Sequence, residues 1–299
     1  MCILTKLFNL LLSRKYIPDR WKMHFTTLIP KTGKDLKLIT NWRLITIGTE
    51  RQRPFNASVL QPHKQILKDR ESTSWRNLQS QGKGVSDFRN DVLGNAFLYD
   101  PALLTDGRFL DAIRLRTNTV GVNEALARAH VHDRKDCRQC KAPLETLGHV
   151  LGQCYVHTER RIWRHNKVVE ILMKHFQYLG YETMLEPTLK YQDTTYKPDL
   201  ILCKGNNRTI VDITVRFEDT GMVDRAIAEK EGKYQILSKY FQPYKVTGIL
   251  SIVMGSRGAI PTHTKRIFRT YKVPKFLQKR MSFICLKSSI EIANAHLDY

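Results

Sequence analysis

Two aspartates in this sequence are placed where they could share a metal ion. The segment Tyr196-Lys197-Pro198-Asp199-Leu200-Ile201-Leu202-Cys203 is followed by Lys204-Gly205-Asn206-Asn207-Arg208 and then by Thr209-Ile210-Val211-Asp212-Ile213-Thr214-Val215. Gly-Asn-Asn between two β-prone runs signals a hairpin. A two-residue loop at Gly205-Asn206 pairs Lys204 with Asn207, and the same register sets Asp199 opposite Asp212 on one sheet face. Directly opposed Cβ atoms lie about 4.5–5.5 Å apart, and like charges so placed destabilise a hairpin. A divalent cation between them reverses that sign. Hard oxygen ligands suit Mg²⁺, which takes one or two carboxylates together with water and phosphate. Such an ion activates a water and stabilises a leaving oxygen in phosphodiester cleavage. Two exposed aspartates on a polar strand face are the plainer alternative.

A charged residue in the next segment points to the same place. Val223, Ile227, Lys230, Tyr234, Leu237 and Phe241 follow one another at steps of three and four, so they share one helix face. Lys230 is the charged member of an otherwise apolar and aromatic stripe. Its ammonium must either snorkel or reach a buried anion, and the Asp199/Asp212 pair is the natural partner. Lys233, at the edge of the same face, is a second choice. Glu170, on an upstream helix, is a candidate third carboxylate.

A second cluster holds softer ligands. Cys137-x2-Cys140-x8-His149-x4-Cys154 offers three thiolates and one imidazole, the donor set of a closed, tetrahedral structural zinc site. Cys-x2-Cys on a tight turn brings two sulfurs to one ion, and a short helix can present His149 and Cys154. Unligated core cysteines are the alternative. His157 lies nearby and is expected at the surface. Cys2, Cys203 and Cys285 are scattered, so no disulfide framework is expected and a reducing compartment suits the chain.

These groups need elements to hold them. The periodicity predicts an amphipathic helix over residues 1–21, a strand from Phe25 to Ile29 and a turn over Pro30–Lys34. No element is assigned to 51–75, and 76–136 reads as mostly helical. A helix is expected over Glu159–Tyr178, strands over Tyr196–Cys203, Thr209–Val215 and Thr247–Met254, a helix over Val223–Phe241, and a basic helical tail from Thr262. The fold class that follows is α/β (α+β): a small central sheet flanked by helices, preceded by a helical linker and a zinc knuckle. The chain has 299 residues, with Lys+Arg 49 against Asp+Glu 28, a formal net charge of +21. That balance speaks of partners rather than fold, and nucleic acid is the first candidate. No apolar run approaches the ~18 residues of a membrane span, so no membrane partner is expected.

In order along the chain, the Cys-x2-Cys…His-x4-Cys unit, Arg164-His165-Asn166, Lys197-Pro198-Asp199, Asp212-Ile213-Thr214-Val215 and Glu229-Lys230-x2-Lys233-Tyr234 resemble the C-terminal part of site-specific non-LTR retrotransposon proteins. Those carry a CCHC knuckle and a restriction-like endonuclease of the PD-(D/E)xK type, which nicks target DNA so that reverse transcription is primed from the nick. The resemblance implies Asp199 and Asp212 as metal-binding catalytic acids. It implies Lys230, Lys233 and Tyr234 as further catalytic residues, the lysine having moved from the strand, where Thr214 stands, to the following helix. Trp75-Arg76-x2-Gln79, Phe88 and Leu115-Arg116-x-Asn118 look like the family's linker. Thr27-Leu28-Ile29-Pro30-Lys31 and Asn41-Trp42-Arg43-Leu44-Ile45-Thr46-Ile47 look like finger motifs of its reverse transcriptase. No Tyr-x-Asp-Asp motif occurs in the sequence, so a truncated, non-polymerising product is expected.

The resemblance divides the chain into a reverse-transcriptase finger remnant (1–50), a linker (51–136), a zinc knuckle (137–158) and a restriction-like endonuclease domain (159–299). The tract between Thr262 and Arg280 holds seven basic residues and no acid. Lys265, Arg266, Arg269, Lys272 and Lys275 are its expected phosphate contacts, and Arg160, Arg161, Arg164 and His165 form a second basic patch. The expectation is a nuclear, Mg²⁺-dependent DNA nickase with a structural zinc, acting on DNA and with element RNA as a second partner. A non-catalytic nucleic-acid-binding module is the rival.

Overall fold

The computed structural model describes residues 25–30, 42–47 and 69–297. The chain divides into two compact units, Met1–Glu71 and Ser72–Tyr299. In the first, strands β1 (Phe25–Pro30) and β2 (Trp42–Ile47) form an antiparallel pair, with Phe25 opposite Ile47. The helix expected before β1 and the turn after it lie outside the described residues.

The second unit is built on a four-stranded sheet of β3 (Glu182–Leu185), β6 (Leu200–Lys204), β7 (Asn207–Arg216) and β8 (Lys245–Gly255), in the order β3-β6-β7-β8. Between β3 and β6, β4 (Leu189–Tyr191) and β5 (Thr194–Tyr196) make a small separate hairpin. The β6–β7 register matches the sequence prediction: Lys204 faces Asn207 and Leu200 faces Val211. Gly205 takes φ +55, which a tight two-residue loop demands and glycine adopts without strain. β8 runs parallel to β7, which requires a crossover, and α5 (Met222–Tyr234) and α6 (Leu237–Tyr240) supply it.

Alternation along β6 and β7 assigns the two faces. Leu200, Leu202, Val211 and Ile213 pack against Val168, Val169, Leu172 and Phe176 of α4 (Thr158–Tyr178), and against Met281 and Cys285 of α8 (Lys275–Leu297). Ile201, Cys203 and Ile210 point the other way, onto Tyr234, Leu237 and Phe241. The sheet is therefore buried on both faces, as its apolar runs require. α7 (Thr262–Thr270) closes the end of β8, where the Thr264 hydroxyl donates to the Val253 carbonyl at 2.6 Å. A further core joins α1 (Asp106–Arg116), the segment before α2 (Asn123–Arg128), and α3 (Leu147–Gly152) to the last turns of α8. The linker and the knuckle thus share one compact unit with the sheet.

Two elements from Tyr196 onwards depart from their expected bounds by more than two residues. The strand expected from Tyr196 begins at Leu200, because Pro198 has no N–H to give a ladder. The helix expected over Val223–Phe241 is divided at Gln235–Ile236, where bonds from Ser238 N to Gln235 O and from Lys239 N to Ile236 O tighten the turn to i→i+3 spacing.

A buried ionic knot welds the linker to the sheet. The guanidinium of Arg257, fully buried after β8, donates through Nε to Glu218 Oε2 at 3.0 Å and through Nη1 and Nη2 to the carbonyls of Leu115, Arg116 and Lys83. Arg116 donates to the Arg257 and Gly94 carbonyls. Gly84, at φ +71, passes so close that a Cβ there would stand 2.4 Å from Arg257 Nη2. Only glycine suits both the conformation and the space.

Candidate functional site

Asp199 lies just before β6, and Asp212 lies inside β7 with its carboxylate towards Lys230 and Tyr234 of α5. The Asp212 carboxylate is 4% exposed. The Tyr234 hydroxyl donates to its Oδ1 at 2.7 Å, and Lys230 Nζ pairs with its Oδ2 at 2.9 Å. The apolar stripe thus delivers Lys230 to the acid. Burial raises the Asp212 pKa, Asp199 raises it further, and Lys230 and Tyr234 oppose the rise. Burial and the same hydrogen bond push the Tyr234 phenol up, so it stays a donor.

Asp199 is held differently. Its Oδ2 accepts from the Ile213 N–H at 2.6 Å and lies 3.2 Å from His165 Nε2. The same Nε2 is 3.0 Å from the Ile213 carbonyl. Burial works against a charged imidazole here, but the Asp199 carboxylate outweighs it and raises the His165 pKa to about 9. Oxygen remains for a cation on Asp199: its bonds to Ile213 and His165 both fall on Oδ2 rather than Oδ1, whereas Asp212 Oδ2 already faces the Lys230 ammonium. The donors present fit a hard divalent ion such as Mg²⁺.

Other candidates fall elsewhere. Lys233 is exposed, its ammonium 4.9 Å above the Tyr234 ring. Glu170 pairs with Lys167 at 3.0 Å and Lys174 at 2.6 Å on the outer face of α4, so it supplies no third carboxylate. The member of α4 that reaches Asp199 is His165.

The Cys/His cluster is assembled. Cys137, Cys140, His149 and Cys154 place their ligand atoms within 4.8 Å of one another. Cys140 Sγ is 3.2 Å from His149 Nε2, and α3 carries His149 with its N–H capped by the Thr146 hydroxyl. Burial pushes the Cys154 thiol up to about 12, a penalty that a coordinated cation removes because thiolate is the ligand. The donor set fits zinc. His157 corrects its expectation: it is 2% exposed, and its Nε2 lies 3.0 Å from His296 Nδ1 of α8. His296 Nε2 is in turn 3.0 Å from Glu145 Oε2, which ties the knuckle to the C-terminal helix. No spacing in the sequence announces that contact.

The basic surface is narrower than the sequence suggests. Arg266, Arg269, Lys272 and Lys275 are exposed, and Arg269, Lys272 and Lys275 line an open groove of about 540 Å³. Lys265 is engaged by Asp91 at 3.0 Å. Arg160 is exposed, and Arg161 folds back onto the Cys154 carbonyl at 2.7 Å. Arg164 cannot meet a phosphate. It is 2% exposed and donates to Ser289 Oγ at 2.8 Å and to the Leu151 carbonyl at 3.1 Å.

The sequence matches no family model. It is similar to the Retrovirus-related Pol polyprotein from type-2 retrotransposable element R2DM of Drosophila melanogaster, 27% identical over 193 residues, covering 63% of this chain and 18% of that protein. It is also similar to a Retrovirus-related Pol polyprotein from type-1 retrotransposable element R2 of Popillia japonica, 26% identical over 226 residues, covering 73% of this chain and 36% of that protein. The chain therefore spans about a fifth to a third of the length of these two relatives. Among the described residues no helix is long and apolar enough to cross a membrane.

Proposed function

We propose that this chain, an R2-type non-LTR retrotransposon protein, uses Asp199, Asp212 and Lys230 as a Mg²⁺-dependent DNA-nicking site. One observation carries the reading: Lys230, the lone charge in an apolar helical stripe, meets the buried Asp212 at 2.9 Å, while Asp199 stands on the adjoining edge of the same hairpin. Holding the buried Asp212 carboxylate beside the partly exposed Asp199 and Lys230 costs stability, and such cost concentrates at sites that bind charge.

Asp199 and Asp212 would hold the ion, and the ion would supply Lewis-acid stabilisation and an activated water. Lys230 would steady the incoming phosphate or water, because it already lies against the acid that binds the cation. Tyr234 keeps the Asp212 carboxylate oriented through its Oδ1. Arg266, Arg269, Lys272, Lys275 and Arg160 would bind duplex phosphates without reading sequence. Cys137, Cys140, His149 and Cys154 would hold a structural zinc that shapes the knuckle behind α4. Chromosomal DNA as substrate would put the protein's work in the nucleus.

The test is nicking of supercoiled plasmid with Mg²⁺ by the protein and by Asp212→Ala. The expected result is nicked circles from the first and none from the second. Equal nicking by both overturns the mechanism. Tight DNA binding without nicking by either favours a non-catalytic nucleic-acid-binding module.

A further inference from the structure

We propose that His165 is a positioning residue that fixes the Asp199 carboxylate, so that its Oδ1 is left to a divalent cation. This rests on the carboxylate reading above and adds a residue to it. Asp199 precedes the first paired residue of β6, so the sheet ladder does not set its side chain. Two contacts do. Oδ2 takes the Ile213 N–H at 2.6 Å and faces His165 Nε2 at 3.2 Å, while that nitrogen also lies 3.0 Å from the Ile213 carbonyl. Asp199 is thereby tied, through one imidazole and one residue's backbone, to the position next to Asp212. The spacing of the two acids depends on that tie.

The imidazole is itself held from behind. Its Nδ1 lies 3.2 Å from Asn166 Oδ1. Its neighbour Arg164 is buried and anchors α4 to Ser289 of α8 and to the Leu151 carbonyl of α3. A ligand-orienting group on a packed helix holds its target more closely than one on a loop. With Nε2 occupied inside the site, His165 is not the outward DNA contact that its place in a basic run suggests. Losing a group that orients a metal ligand typically costs about 10–100-fold in metal affinity or activity.

The experiment measures Mn²⁺ binding to the full zinc-loaded chain by the free-ion electron paramagnetic resonance signal, Mn²⁺ being suited to carboxylate and water ligands. Wild type, His165→Ala, His165→Gln and Asp199→Asn are compared, with duplex DNA binding in EDTA measured alongside. The expected result is a loss of Mn²⁺ affinity of about 10–100-fold in His165→Ala, with most of it recovered in His165→Gln, whose amide N–H can still reach Asp199. DNA affinity in EDTA is expected to stay unchanged in both. Wild-type Mn²⁺ affinity in His165→Ala, beside a clear loss in Asp199→Asn, overturns the positioning role alone. Failure of the glutamine to rescue, or a fall in metal-free DNA affinity, also overturns it. Equal Mn²⁺ affinity in wild type and Asp199→Asn overturns the carboxylate reading itself.

Discussion

Replacing Tyr234 with Phe removes one oxygen from the centre of the site and leaves the ring where it was. The ring is 1% exposed and packs with Leu237, Ile201 and Ile210, so Phe keeps that apolar packing. The hydroxyl, which donates to Asp212 Oδ1 at 2.7 Å, is removed. Asp212 is 4% exposed, so water has little room to replace the donor. A hydrogen bond to a charged group is worth about 1.5–3 kcal/mol. The expected loss of unfolding free energy is therefore about 2 kcal/mol, seen as a lower urea midpoint with an unchanged m-value. The assay is urea unfolding in EDTA at neutral pH, which needs no catalytic activity. Combining Tyr234→Phe with Asp212→Ala, which removes the acceptor that an asparagine would keep, closes a double-mutant cycle whose coupling energy reports the hydrogen bond. A loss below about 0.5 kcal/mol, the usual size for a neutral surface change, refutes the claim that the phenol holds this carboxylate.

The other predictions concern the frame and the surface. Glu218→Gln leaves the fully buried Arg257 guanidinium without its counter-charge, so unfolding free energy should fall by about 3–5 kcal/mol in urea titrations. Burial, then Glu218, raises the Asp87 pKa from 3.8 to about 6. A raised carboxyl pKa means that the folded protein holds the proton more tightly, so the benefit is present at low pH and is lost as pH rises through about 6. Asp87→Asn should consequently raise the melting temperature at pH ~7.5, by the equivalent of about 1–3 kcal/mol, and give no gain near pH ~4. Replacing Arg266, Arg269, Lys272 and Lys275 with Ala should weaken DNA binding alike on unrelated sequences. It should also lower the slope of log K against log salt by about 0.9 for each phosphate that is no longer neutralised, measured by fluorescence anisotropy.

Much of the site was legible before any fold was known. The parity of a two-residue loop at Gly205-Asn206 is enough to set the β6–β7 register, because a strand's side chains alternate with period two and a loop of fixed length fixes the pairing. Asp199, however, lies one residue outside that ladder and is placed by Ile213 and His165 instead. Helical spacing alone marks Lys230 as a charge among apolar neighbours. The Cys/His spacing names a donor set without reference to anything distant. Local periodicity, however, says which residues share a face and not what that face meets. Arg164 and His165 are adjacent in a basic run, yet one turns into the core towards Ser289 and the other into the carboxylate site. Glu170, one helical turn and more along, faces outward to two lysines. His157 finds its partner in His296, at the far end of the chain. Those assignments depend on how α4 is rotated and on where α8 crosses it, which the packing of both helices against one face of the sheet decides.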